Sequence, residues 1–332
     1  MKFTYILNNK HNPRYNLALE ESLFLKAVKN REGYLMLWIN DPTVVIGRYQ
    51  NTAEEVSREY ISTHKVNVVR RITGGGAVYH DRGNLNYTVI LPTQDEEVLN
   101  IQAFGIPLVE HLKSLGVTAQ RTGRNDVTVN GRKFSGVAQY SADGVILHHG
   151  TLLYNSKLED VSQALRVKTE KFQSKGFKSV RSRVTNLLPC LPRPMSMEDF
   201  RSGFAEALIR FYHAEEVRPP SDEEEAAARK LKTDKYDTRQ WTWEESPRFT
   251  YTSERRFNGG TVQIGLAVEK GHVKDCRIYG DYFSSSGTAE VEKILCGQPY
   301  PFENLDLLLR DELLKKAFSG ISPEDIRAFL QE

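Results

Sequence analysis

Short apolar runs bounded by Gly, Asn, Asp and Pro alternate along this chain with stretches whose apolar residues recur at helical spacing. Leu17, Leu19 or Glu20, Phe24 and Ala27 fall near one helical stripe, so a helix over 16–27 is predicted with Asn16 as its cap. Strands are predicted over 34–39 and 43–46, divided by the turn signal Asn40-Asp41-Pro42. Thr52-Ala53-Glu54-Glu55 has the form of a capping box, and 99–115 reads as a helix that Gly116 would end. Asn130-Gly131 between two alternating segments predicts a tight hairpin. Residues 145–154 form a long strand pattern with Gly150 inside it, a place for a bulge or the close approach of a ligand.

Farther on, 196–212 is a helix candidate opened by Ser196-Met197-Glu198-Asp199, and 221–235 a second, surface-lying one. The aromatic and proline run from Trp241 to Phe249 breaks the pattern and predicts a packed joint. Beyond it, 249–256, 261–270 and 273–279 read as a meander, followed by helices, the last opened by Ser322-Pro323. A division into domains 1–245 and 246–332 is expected, the second a small α+β unit without a convergent catalytic cluster.

A chain of 332 residues with 39% hydrophobic and 27% charged residues suits an ordinary globular protein of two domains. Its net charge of +2 gives no general argument for nucleic acid or a membrane as partner. No apolar run approaches a membrane span, and the N-terminus turns polar too soon for a signal peptide, which predicts a cytoplasmic protein. Cys190, Cys276 and Cys296 have no CxxC spacing, which argues against a disulfide framework and a zinc site.

The chemistry concentrates at Arg70-Arg71-Ile72-Thr73-Gly74-Gly75-Gly76-Ala77-Val78-Tyr79-His80-Asp81, closed by Gly83-Asn84-Leu85-Asn86. Consecutive glycines destabilise helix and strand alike, and they free backbone N–H groups to converge on an anion. Two arginines at the entrance add bidentate donors, so the loop suits a phosphate or an acyl phosphate. A P-loop is excluded for want of Gly-Lys-Ser/Thr after the glycines, and a dinucleotide fingerprint because Tyr79 stands where it needs glycine. A glycine-rich hairpin with solvated arginines is the plainer alternative.

This stretch resembles the signature loop of the lipoate-protein ligases, relatives of the biotin protein ligases and octanoyltransferases. The likeness continues through Gly123-Arg124-Asn125-Asp126, Gly131-Arg132-Lys133-Phe134-Ser135-Gly136, His149-Gly150-Thr151 and the basic run Lys178-Ser179-Val180-Arg181-Ser182-Arg183-Val184. It implies an α+β fold: a mixed-sheet catalytic domain flanked by helices, akin to class II aminoacyl-tRNA synthetase cores, plus a small C-terminal domain. It also implies a two-step reaction in which lipoate and Mg-ATP give lipoyl-AMP, and a lysine of an acceptor protein then takes the lipoyl group. The acceptors it implies are the H protein of glycine cleavage and the E2 subunits of 2-oxoacid dehydrogenases.

Residue by residue, the resemblance implies that Arg71, supported by Arg70, and the amides of Gly75, Gly76, Ala77, Val78 and Tyr79 hold the adenylate. Lys133 bridges acyl carbonyl and phosphate as the essential catalytic lysine. Asp126 takes the Mg²⁺, Asn125 lies near the nucleotide, and Thr73, Asn84, Ser135, Ala138 and Thr151 make further contacts. Leu17, Trp38, His149 and Gly150 form the lipoyl pocket, with His149 as lining and not a proton carrier. Lys178, Arg181 and Arg183 dock the acceptor. An ATP-independent lipoyl or octanoyl transferase of the same fold, and a non-catalytic binder of lipoyl domains, remain the rivals. The absence of any cysteine before Cys190 weighs against a thioester route, and Thr-Gly-Gly-Gly-Ala is unlike the loop of a biotin ligase.

Overall fold

Strand pairing decides the architecture of the computed structural model, which describes residues 1–93, 103–122, 126–165, 184–243, 249 and 251–331. The strands, in chain order, are β1 (Phe3–Leu7), β2 (Gly33–Trp38), β3 (Thr43–Ile46), β4 (Asn67–Arg70), β5 (Val78–His80), β6 (Asn84–Pro92), β7 (Ala119–Thr122), β8 (Asp126–Val129), β9 (Arg132–Ala142), β10 (Val145–Leu153), β11 (Glu216–Arg218), β12 (Tyr251–Phe257), β13 (Gly260–Glu269) and β14 (His272–Gly280). They make an eight-stranded sheet in the order β11-β1-β2-β6-β10-β9-β8-β7 and two three-stranded sheets, β4-β3-β5 and β12-β13-β14. The large sheet is mixed, β1 running parallel to β2 and β11 and the other pairs antiparallel. The fold is α+β.

Both faces of the large sheet are covered, which is why its central strands read as continuous apolar runs. On one face Leu35, Leu37, Leu85, Tyr87 and Leu152 pack on Leu108 and Leu112 of the Ile106–Ser114 helix and on Phe200 and Phe204 of the Met197–Tyr212 helix. The other face, through Met36, Trp38, Ile90 and Leu147, meets the Pro13–Asn30 helix and Val45 and Val69 of the small β4-β3-β5 sheet. The functional site lies between this second face and the small sheet.

Local structure departs from expectation in instructive places. The first helix begins at Pro13, with Asn12 accepting from Tyr15 N. Asn16 is instead a buried tie, its Nδ2 donating to Lys10 O, Ile39 O and Asn40 Oδ1. Asn51, not Thr52, caps the Thr52–Glu55 turn, because Thr52 Oγ1 is drawn to Thr242 O. The 99–115 helix starts at Ile106, and the part before residue 103 lies outside the described residues. The Asp222–Leu231 helix lies on the surface as expected, most of its residues exposed, and is anchored by buried Ala228 and by Glu224, which is buried under Lys26 and Arg218 at 2.7 and 2.6 Å. The paired cations make that burial tolerable and hold its carboxyl down to about 2 against the opposing effect of desolvation. Gly150 marks no bulge, for the pairing of β10 with β6 and β9 is unbroken. Its missing Cβ makes room for Tyr87, whose Cε1 would lie 2.3 Å away.

The β12-β13-β14 meander is as expected, packed with the Ala289–Leu295, Asp311–Ala317 and Pro323–Leu330 helices around Ile264, Leu266, Leu295, Phe318 and Phe329. Ser322 caps the last helix by accepting from Asp325 N, with Pro323 as its first residue. This unit touches the glycine loop from behind. Tyr282 stacks on Tyr49 with ring centroids 5.0 Å apart, Gly280 N donates to Tyr49 O at 2.8 Å, and a Cβ on Gly74 would meet Tyr282 O at 2.5 Å. Trp241 is packed against the first unit, its Nε1 donating to Arg70 O at 2.9 Å while Arg48 and Lys235 cover its ring at 4.2 and 3.9 Å. Residues 244–248 lie outside the described residues.

Candidate active site

Register assembles the site. Trp38 of β2 pairs with Asn86 of β6, Asn86 with Thr151 of β10, Thr151 with Gly136 of β9, and Gly136 with Asp126 of β8. One position-pair away, Met36, Thr88, His149 and Ala138 form a second row on the same face, because side chains alternate with period two. Trp38, Asn86, Thr151, Gly136, His149 and Ala138 of these rows line a cleft together with Leu17, Val45 and the Gly75–Val78 part of the glycine loop. Its buried part is lined by Leu17, Trp38 and Val45 together with Arg71, His80, Asn86 and His149, and its more exposed part carries Lys133, Thr151 and the Gly76–Val78 backbone. An elongated molecule with an aliphatic tail and an anionic head suits that arrangement.

Lys133 reaches the cleft through a bulge. Simple alternation along β9 would put Lys133 and Gly136 on opposite faces, but the register with β8 shifts between Val127 and Thr128, leaving Phe134 as the extra residue. Phe134 turns into the helix-covered core, and Lys133 lies across Gly136 with its Nζ 2.5 Å from Asp126 Oδ1. The backbone of Lys133 is tied in turn to the end of the basic run, since Thr185 N donates to Lys133 O at 2.8 Å.

Behind the cleft wall the polar groups are buried and ordered. Arg71, 5% exposed, donates to Thr73 Oγ1, Val45 O, Gly74 O and Gly76 O. His149 lies between Thr73 Oγ1 at 2.8 Å and Glu20 Oε2 at 3.0 Å. Burial draws the Arg71 pKa down to about 10, partly countered by Glu20, so the guanidinium stays charged at neutral pH. His80 also lines the cleft, its pKa held down to about 3 by burial and then by the nearby Arg71 and His149. Asn40 Oδ1 accepts from Asn16, so the Asn40 amide nitrogen faces His80 Nδ1 at 3.1 Å and donates to it. The proton of the neutral ring is then on Nε2, which is buried without a partner among the described residues.

Residues 12–209 match the family model of the lipoyl protein ligase A/B catalytic domain, and 246–330 that of the bacterial lipoate protein ligase C-terminus. The chain belongs to the lipoate-protein ligases. It is 37% identical to lipoate-protein ligase LplJ of Bacillus subtilis, over 96% of each chain, and 39% identical to lipoate-protein ligase 1 of Staphylococcus aureus, over 96% of this chain and 97% of that one. Among solved structures, a lipoate-protein ligase A bound with ATP is 27% identical with a TM-score of 0.65, covering 73% of this chain and 99% of that one. The ligase of a bipartite archaeal lipoylation system from Thermoplasma acidophilum, described with its E2 lipoyl domain, is 29% identical with a TM-score of 0.66, over 75% and 99%.

In this ligase chain Leu17, Trp38, Arg71, Gly75, Gly76, Ala77, Val78, Lys133, Ala138, His149, Gly150 and Thr151 come together around the cleft as the sequence suggested. Arg70 does not join them. Its donors are turned onto Trp241 O, Gly47 O, Arg48 O, Gln50 O and Thr52 Oγ1, so it fixes the base of the loop. Tyr79 alternates away from the cleft and packs beside Val44, Ile46 and Tyr60. Thr73 stands one hydrogen bond behind the wall, as does Asn84, which donates to Asn86 Oδ1 at 2.9 Å. Ser135 faces away, its neighbour across the bulge being buried in the opposite core. Asn125, Lys178, Arg181 and Arg183 lie outside the described residues.

The sequence reading missed Val45, His80, Asn86, Gly136 and Val137 as lining residues and Glu20 behind them. His80, Asn86 and Gly136 were in the motifs, and their spacing at two-residue intervals from assigned positions was the available signal. No helix among the described residues is long and apolar enough to cross a membrane.

Proposed function

We propose that this chain activates free lipoate with Mg-ATP and transfers the lipoyl group to a lysine of an acceptor protein. The observation that carries the reading is the bulge that lays Lys133 in the more exposed part of the cleft, beside the Gly76–Val78 backbone. In the first step a lipoate carboxylate oxygen bonds to the α-phosphorus and pyrophosphate leaves. Two anions must meet, and a cation bridging carboxylate and phosphate lowers their repulsion as charge develops. Lys133 supplies it, with loop amides as further donors. In the second step the acceptor amine bonds to the acyl carbon, the carbonyl–phosphate oxygen bond breaks, AMP leaves and the amine loses a proton.

The slot lined by Leu17, Trp38, Val45 and Ala138 holds the dithiolane tail and excludes water. Magnesium, when bound, neutralises phosphate charge, and Asp126 is the residue that holds it. No group of three or more His, Cys, Asp or Glu is gathered for a metal among the described residues. Magnesium asks for little, commonly one or two carboxylates besides water and phosphates. Asp126 is the carboxylate present for it: its side chain is partly exposed, and its Oδ1 is now paired to Lys133. A solved relative bound with ATP supports the choice of nucleotide, and one described with an E2 lipoyl domain supports that class of acceptor; the H protein is a second candidate. No cysteine lines the cleft, which disfavours the thioester route of an ATP-independent transferase.

We assign catalysis to 1–245 and an accessory role to 246–332, whose Tyr282 backs the glycine loop. The test is pyrophosphate release with lipoate and Mg-ATP but no acceptor. About one equivalent per chain in a burst, with lipoyl-AMP recovered, is expected; no release contradicts the reading.

A further inference from the structure

Two chains of hydrogen bonds run beneath the cleft wall and meet on one buried carboxylate. From the loop side, Arg71 Nε donates to Thr73 Oγ1 at 2.8 Å, Thr73 Oγ1 lies 2.8 Å from His149 Nε2, and His149 Nδ1 lies 3.0 Å from Glu20 Oε2. From the slot side, Trp38 Nε1 donates to Thr88 Oγ1 at 2.8 Å and Thr88 Oγ1 donates to Glu20 Oε1 at 2.6 Å. Glu20 is 1% exposed.

With His149 neutral, one polarity satisfies every member. Arginine and indole nitrogens only donate, and a carboxylate only accepts. Thr73, already accepting from Arg71, gives its own proton to His149 Nε2, which requires the ring to carry its proton on Nδ1 and pass it toward Glu20. Arg71 meanwhile donates to neutral oxygens, with no carboxylate against it among the described residues. A buried cation without a counter-charge is costly, and Glu20, reached through Thr73 and His149, answers that need.

We propose that Glu20 is the counter-charge and positioning residue of the glycine loop: through His149 and Thr73 it holds Arg71, and through Arg71 the Gly74 and Gly76 carbonyls, while through Thr88 it holds the Trp38 wall. The kinetic consequence rests on the ligase reading; the direction of the proton chain rests on geometry alone. Glu20→Gln keeps the shape but replaces one acceptor oxygen by an NH₂ donor. Facing His149, that donor forces the proton to Nε2, turns the Thr73 hydroxyl away from the ring and removes the charge opposite Arg71. The loop amides then lose their fixed aim at the nucleotide.

The test has two arms. In ¹⁵N-labelled, ligand-free protein at neutral pH, with His149→Asn for assignment, the wild-type His149 ring is expected as the Nδ1–H tautomer and the Glu20→Gln ring as Nε2–H or a mixture. In adenylate formation, Glu20→Gln is expected to raise KM for ATP roughly tenfold or more, the usual scale for losing a hydrogen bond to a charge. Thr73→Val, which cuts the chain without removing the charge, should raise the same KM, and the double variant should be no worse than the worse single variant. A purely structural role would lower Tm without changing the tautomer or coupling the two sites. An Nε2–H tautomer in the wild type, or additive effects of the two variants, overturns the proposal. A wild type that forms no adenylate overturns the ligase reading, and the tautomer arm still decides the direction of the chain.

Discussion

A methyl group on Gly136 would stand 3.0 Å from both Cε and Nζ of Lys133. The glycine is therefore the bed on which the lysine lies, and the bulge at Phe134 puts both on the cleft face. Gly136→Ala should push the flexible end of Lys133 aside at little cost to the fold. Misplacing a reacting group by about 1 Å can cost roughly a hundredfold in rate, so adenylate formation should fall between tenfold and a hundredfold at about this scale with Tm nearly unchanged. Unaltered turnover would show that the lysine position is not set here.

Lys133→Ala should lower adenylate formation by about a hundredfold to a thousandfold, the scale of one lost transition-state donor. Its side chain is 37% exposed and its ion pair with Asp126 is half open to water, so stability should barely change. Rapid-quench measurement of lipoyl-AMP, beside a melting curve, separates the two effects. Near-normal adenylation would remove the lysine from the chemistry.

At Gly150 the reverse split is expected. An alanine there would meet the Tyr87 ring at 2.3 Å, and Tyr87 is fully buried in the opposite core. Overpacking of this kind costs about 1–3 kcal/mol. Gly150→Ala should lower Tm, and adding Tyr87→Leu should restore part of it; an unshifted Tm would contradict the packing.

Acid stability reports on His80. Its folded pKa is about 3, against an ordinary 6.5, so between those values the unfolded chain binds a proton that the folded chain refuses. The stability it contributes is complete above about pH 6.5 and is lost as pH falls toward 3, by at most about 1.4 kcal/mol per pH unit. His148, also held low by burial, adds to the same slope. Denaturant titrations from pH 7 to 4 should show His80→Gln with a shallower loss than wild type. Parallel slopes would mean that His80 is not buried neutral.

Much of the site was legible because its motifs sit on strands with strict alternation. Once the Trp38, His149 and Thr151 strands are read, period two puts them on one face, and the structure agrees. Lys133 was legible as a residue but not in direction, since a bulge adds one residue and sequence alone does not mark it. Arg70 and Arg71 look equivalent in sequence, yet alternation at the end of β4 sends one to the loop base and the other under the cleft. Glu20 stood on the predicted stripe only as the alternative to Leu19, and its role was hidden because a glutamate is buried only when paired, which here depends on tertiary donors from Thr88 and His149. The C-terminal meander was plain from its Gly-rich turns, whereas its contact with Tyr49 and Gly74 depends on how two units pack and leaves no local signal.

The most direct test of the central claim is the mass of an acceptor. Apo H protein and an apo E2 lipoyl domain, each incubated with this protein, lipoate and Mg-ATP, should gain one lipoyl group, and neither should do so when ATP is omitted. A lipoyl adduct that forms equally well without ATP, or tight acceptor binding with no adduct and no lipoyl-AMP, would contradict the account.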